Sequence, residues 1–135
     1  MDSIKIICYQ LPKSELCFLH TYDFEKSNIH LIGIYDEVPE FVATITTTSP
    51  NIILLNSLIS TVDLYFLINE LNIVAPNAIK ILWSTIYSNF ILNEVLGLGI
   101  HKVIRKSNKG QNLIEEILLI LNDYSNILNS NITIA

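Results

Sequence analysis

Five short apolar runs recur along this chain, spaced by longer segments with helical periodicity: "IKIIC" (Ile4–Cys8), "IHLIGIY" (Ile29–Tyr35), "NIILL" (Asn51–Leu55), "AIKILWS" (Ala78–Ser84) and "HKVIR" (His101–Arg105). Runs such as Ile6–Cys8 and Ile52–Leu55 are apolar without alternation. A strand reads that way when both of its faces are covered, as in a parallel sheet flanked by helices. The intervening segments supply the helices. Pro12 and Ser14 open one that runs to about Phe24, and Pro39 begins a short one expected to fade through the β-branched "TITTTSP". Val62–Leu71 has helical spacing and ends before Pro76. Asn89 can cap a helix to Leu96, with Gly97 and Gly99 as the stop, and a last helix covers about Asn112–Tyr124. Strands alternating with helices predict an α/β fold, a doubly wound parallel sheet with right-handed crossovers.

A length of 135 residues suits one domain, taken here as 1–125, with 126–135 a tail or the start of a linker. Half of the residues are hydrophobic and 16% are charged, which favours a buried core over disorder. The net charge of −5 argues against direct binding of nucleic acid, which needs clustered cations. Lys102, Arg105, Lys106 and Lys109 are a local exception and read as a solvated strand end and loop. No apolar run approaches the roughly 20 residues that span a bilayer, so no membrane partner is expected. The short first apolar stretch behind Asp2 does not read as a signal peptide, and Cys8 and Cys17 are too few for a disulfide framework; both point to a reducing cytoplasm. His20, His30 and His101 are scattered, without partners at ligand spacing, so neither a metal nor another cofactor is expected.

In a doubly wound sheet the functional crevice lies beyond the carboxyl ends of the strands. The residues there are Tyr9–Gln10 after the first strand, Asn56 after the third, Ser84–Thr85 after the fourth and Lys106 after the fifth. From about Ile4 to Tyr124 this set resembles the receiver domain of bacterial response regulators, and most resembles the branch with a C-terminal helix-turn-helix. The resemblance implies a five-stranded (βα)5 sheet in the order 2-1-3-4-5. It also implies that Tyr9 and Gln10 stand at the acidic-pair positions, Asn56 at the phosphoacceptor, Ser84 with Thr85 at the hydroxyl position, Lys106 at the lysine and Val103 at the switch aromatic.

The departures define the chemistry. A receiver holds Mg²⁺ through carboxylates and passes a phosphoryl group to an Asp. Mg²⁺ needs oxygen ligands whose charge offsets its own. Tyr9, Gln10 and Asn56 supply no carboxylate, and an amide has no anionic oxygen to attack phosphorus. The chain therefore reads as a pseudo-receiver, phosphorylation-independent, with Asn56 expected to accept a hydrogen bond from Lys106 or Ser84 in place of an ion. The β-branched Val103 has a stiff χ1 and cannot rotate as a switch ring does. Asp36 and Glu37 follow the second strand and read as a solvated loop off the crevice; Trp83 reads as a core or crevice-wall ring.

The last predicted helix is more apolar than one face requires. Ile114, Ile117, Leu118 and Leu121 suit the sheet, and Leu113, Ile120 and Tyr124 form a second stripe. That stripe, with Phe18 and Tyr22 from the first helix, is the expected interface of a symmetric homodimer. The expected function is a regulatory dimerisation or protein-interaction module in signal transduction or transcription control, with a fused or partner DNA-binding domain. The alternative is a ligand-sensing domain whose crevice takes a small molecule or a partner segment. Catalysis is not expected: "YQLP" is not a phosphate cradle, and no nucleophile–base set falls at the strand ends.

Overall fold

The computed structural model describes residues 4–10, 29–56, 61–84, 89–105 and 119. The chain divides into two compact units, Met1–Arg105 and Lys106–Ala135. In the second, Leu119 is helical and exposed. In the first, the elements run β1 (Ile4–Tyr9), β2 (Ile29–Tyr35), α1 (Val38–Thr48), β3 (Ile52–Asn56), α2 (Thr61–Val74), β4 (Ile79–Ser84), α3 (Asn89–Leu98) and β5 (Lys102–Arg105). The strands form one five-stranded sheet, ordered β2-β1-β3-β4-β5, in which every pair is parallel. This is the expected class and strand order. The first and last predicted helices lie outside the described residues.

The unalternating strands are buried on both faces, as their composition requires. Ile52, Ile53, Leu54 and Leu55 are all fully buried. One set of positions, including Ile7, Tyr9, Ile53, Leu55 and Leu82, packs with Phe41 and Ile45 of α1, Leu64, Leu67, Ile68 and Leu71 of α2, and Val95 of α3. The alternate positions Ile6, Cys8, Ile52, Leu54, Ile81, Trp83 and Ile104 are buried too and point to the opposite face by the two-residue period of a strand. Each buried Ile or Leu contributes about 1.5–3 kcal/mol relative to exposure. Trp83 is thus a core ring.

β2 is an edge strand with one irregularity. Its register against β1 shifts between Ile6 and Ile7, so that Ile6 pairs with Leu31 and Ile7 with Gly33. The extra residue, Ile32, and the following Tyr35 pack on the three-helix core.

Helix α1 does not fade. It continues through the threonines to Thr48, because burial of one face outweighs β-branched propensity. The hydroxyls of Thr44, Thr46, Thr47 and Thr48 donate to the carbonyls four residues back, at 2.6–3.2 Å. Phe41 and Ile45, one turn apart, anchor the buried stripe. Ser49 then takes a left-handed conformation (φ 50°) and Pro50 cannot continue the helix. Helix α3 likewise outruns its predicted end: Gly97 lies inside it. The stop is Gly99, at φ +123°. The N–H of Gly99 donates to Leu96 O and that of Ile100 to Val95 O, the paired bonds of a Schellman terminus, with Ile100 and Val95 both in the core.

The amino ends of the strands are clasped by side chains. Asn51 accepts from the Lys5 backbone N–H through its side-chain oxygen (2.8 Å), donates to Lys5 O, and accepts from Ile79 N–H. His101 does the same between β4 and β5: its Nδ1 accepts the Lys80 N–H at 3.0 Å, and its own N–H donates to Lys80 O at 2.8 Å.

Candidate functional site

Because every strand is parallel, the carboxyl ends of β1, β3, β4 and β5 share one edge. The register sets their heights: Tyr9 lies opposite Leu55, Asn56 opposite Trp83 and Ser84 opposite Arg105. Tyr9, Gln10, Asn56 and Ser84 are therefore gathered where the sequence placed them. Thr85 and Lys106 lie outside the described residues, as do Leu113, Ile120, Tyr124, Phe18 and Tyr22.

Asn56 is completely buried at the last position of β3. Its amide nitrogen donates to the backbone carbonyl of Gln10. Gln10 presents that carbonyl because its backbone is left-handed (φ 53°), a conformation secured by its N–H donating to Tyr35 O at 2.8 Å. One partner of the Asn56 amide is thus the backbone oxygen of the residue following β1, with the amide nitrogen as donor; the Lys106 ammonium and the Ser84 side chain, the donors expected for its oxygen, lie outside the described residues. A carboxylate at position 56 could not make this bond. The bond ties the ends of β1 and β3 together without charge.

Tyr9 is only 5% exposed and belongs to the core. Its ring meets that of Phe41 at 4.9 Å, tilted by 39°, and the Tyr35 ring stands 6.2 Å from that of Phe41. At the carboxyl end of β1 the sheet therefore carries an aromatic cluster. Burial raises the Tyr9 phenol's pKa, and the carboxylates of Glu37, Asp36 and Asp63 raise it further. These influences revise the expectation for Asp36 and Glu37. They are exposed, as expected for a loop, but they follow Tyr35, which pairs with Tyr9, and lie near enough for their charge to reach the phenol. Among the described residues no three His, Cys, Asp or Glu side chains converge as a metal site.

Val103 is half-buried on β5 and packs against the three-helix core. Ser84 ends β4. Two side chains escaped notice in the sequence. Phe41 closes over Tyr9; its signal was an aromatic one turn into a helix beginning at the sheet's carboxyl edge. Lys80, 1% exposed, sends its ammonium to the carbonyls of Ala75 (2.9 Å) and Ala78 (3.2 Å), and burial lowers its pKa. A lone lysine inside "AIKILW" was its signal.

No family model matches the chain, and no curated protein does. Solved structures do. The chain is similar to the response-regulator domain of CheB from Thermotoga maritima (TM-score 0.73, 15% identity, 90% of this chain and 95% of that one). It is similar to the receiver domain of AraT, a response regulator from Geobacillus stearothermophilus (TM-score 0.73, 13% identity, 93% and 98%). It is also similar to a protein described as pilus assembly-related from Burkholderia pseudomallei (TM-score 0.66, 16% identity, 84% and 86%). At such identities the likeness speaks to architecture, and with the 2-1-3-4-5 parallel sheet it establishes that this chain has the receiver fold.

Proposed function

We propose that this chain is a receiver-like regulatory domain that works without phosphorylation, serving as a dimerisation or partner-docking module in signal transduction or transcription control. The observation that carries the reading is the Asn56–Gln10 bond: the residue at the phosphoacceptor position is a buried amide already engaged with the adjacent strand. Tyr9, packed on Phe41, supports it by filling an acidic-pair position with hydrocarbon. The receiver fold supports a regulatory role by analogy with the response-regulator domains to which the chain is similar. The resemblance to the branch with a helix-turn-helix supports a DNA-binding partner or fused domain, and the Leu113, Ile120 and Tyr124 stripe supports a homodimer.

One mass measurement tests the central claim. Incubation with acetyl phosphate and Mg²⁺ should leave the intact mass unchanged, and Mg²⁺ should not move the melting temperature. A gain of one phosphate at the carboxyl edge would overturn the reading. Sedimentation tests dimerisation: Leu113→Arg with Ile120→Arg should convert a dimer to a monomer.

A further inference from the structure

Helices α1, α2 and α3 carry four ionisable side chains with formal charge, Glu40, Asp63, Glu70 and Glu94, and all four are acidic; residues 38–48, 61–74 and 89–98 contain no Lys, Arg or His. Asp36 and Glu37 precede α1 directly. On the same helices hydrocarbon is left in water. Phe66 is 67% exposed, Ile73 75% and Phe90 71%, with Leu96 also exposed.

The arrangement on α2 is regular. Leu64, Leu67, Ile68 and Leu71 face the core. Asp63, Phe66, Glu70 and Ile73, at i, i+3, i+7 and i+10, lie along a separate stripe that alternates carboxylate and hydrocarbon. The helix packs against both α1 and α3, so it occupies the middle of this layer. Its seam with α3 is fastened by the Asn72 amide, which donates to Leu98 O at 2.6 Å, and the Glu94 carboxylate lies near enough to the Tyr65 phenol to raise its pKa. Neither Phe66 nor Ile73 is needed to fill the core, and large apolar side chains rimmed by polar groups mark interaction surfaces.

We infer that the outer face of α1–α3 docks a basic amphipathic helix of a partner protein. Apolar side chains spaced at i, i+3, i+4 and i+7 would cover Phe66 and Ile73, while flanking Lys or Arg would meet Glu70 and Glu94. Charge selects this occupant. A second copy placed symmetrically would set these acids against themselves. An anionic membrane or a nucleic acid would be repelled for the same reason. The inference stands apart from the crevice and holds whether or not phosphate binds there.

The test is a titration of the full chain, by fluorescence anisotropy and amide chemical-shift mapping, with a designed Leu/Lys amphipathic peptide of about 18 residues, or five turns. Comparators are a Leu/Glu peptide of the same pattern and a scrambled Leu/Lys peptide without an apolar face. The Leu/Lys peptide should bind and shift amides within 61–74 and 89–98, while neither comparator binds. Phe66→Ser with Ile73→Ser should weaken binding by about tenfold or more. Glu70→Gln with Glu94→Gln should weaken it several-fold at low salt and hardly at all at high salt. Phe66, Ile73 and Glu94 are exposed and Glu70 is half-buried, and glutamine keeps the shape of glutamate, so melting temperatures should stay near that of the parent. Absence of binding, equal binding by the serine variant, equal binding of a comparator, or self-association that the serine variant abolishes would each overturn the inference.

Discussion

Asn56 donates its amide hydrogen to the half-buried Gln10 carbonyl from a fully buried position, so its removal unpairs that acceptor and empties a buried site. Asn56→Ala should therefore cost about 1–3 kcal/mol, read as a lowered urea midpoint with an unchanged slope. The same logic predicts that restoring a carboxylate harms the fold. Asn56→Asp would face the Gln10 carbonyl with an anion, and its melting temperature should fall below that of the parent at pH 7. Cys8 illustrates burial acting on a nucleophile. With no exposed surface, its thiol is pushed up to about 12, leaving almost no thiolate at neutral pH. Ellman's reagent should leave Cys8 unmodified in the folded protein and reach it in urea. Labelling of Cys8 at the free-thiol rate under native conditions would contradict that burial.

At the scale of elements, tertiary contacts decide where helices stop. Helix α1 keeps its β-branched run because Ile45 and Phe41 are buried under it, so Ile45→Ala should cost about 2–5 kcal/mol through the cavity it leaves. Helix α3 ends where a residue must adopt φ +123°, and a Cβ at Gly99 would sit 2.8 Å from the Asn72 side-chain oxygen. Asn72 is held in place by its bond to Leu98 O. Gly99→Ala should therefore cost about 1–3 kcal/mol in the same denaturation assay, combining backbone strain with displacement of that amide. Gly97, by contrast, has open space about its Cα and a helical backbone, so Gly97→Ala should be neutral or stabilising by up to about 1 kcal/mol.

Stability of the whole molecule should depend on pH through the clasp between β4 and β5. His101 must be unprotonated at Nδ1 to accept the Lys80 N–H. His101 is exposed, yet partial desolvation of its ring against the sheet end lowers its pKa below the usual 6.5, and the Lys80 ammonium lowers it further. A histidine whose folded pKa is depressed binds fewer protons folded than unfolded between the two values, so stability rises with pH across that window. Its contribution is intact above 6.5 and is lost as pH falls toward the folded value. The urea midpoint of the parent should drop relative to that of His101→Gln as pH is taken from about 7.5 to 5.5. Parallel curves would show that the imidazole is not coupled to the sheet. No described helix is long and apolar enough to cross a membrane.

The unalternating runs "IIC" and "IILL" could belong only to strands covered on both faces, and with the intervening periodicity they determined a parallel α/β sheet. The identities of Tyr9, Gln10 and Asn56 by themselves place no carboxylate at the ends of β1 and β3. What the Asn56 amide bonds to was not legible, because Gln10 turns its carbonyl there only through a left-handed backbone pinned by Tyr35, a contact made across the sheet. Nor could sequence periodicity tell that the charges of Glu37, Asp36 and Asp63 reach the Tyr9 phenol. Spacing along a chain reports which face a side chain takes, whereas the meeting of groups from β1, β2 and α2 depends on how those elements pack in space.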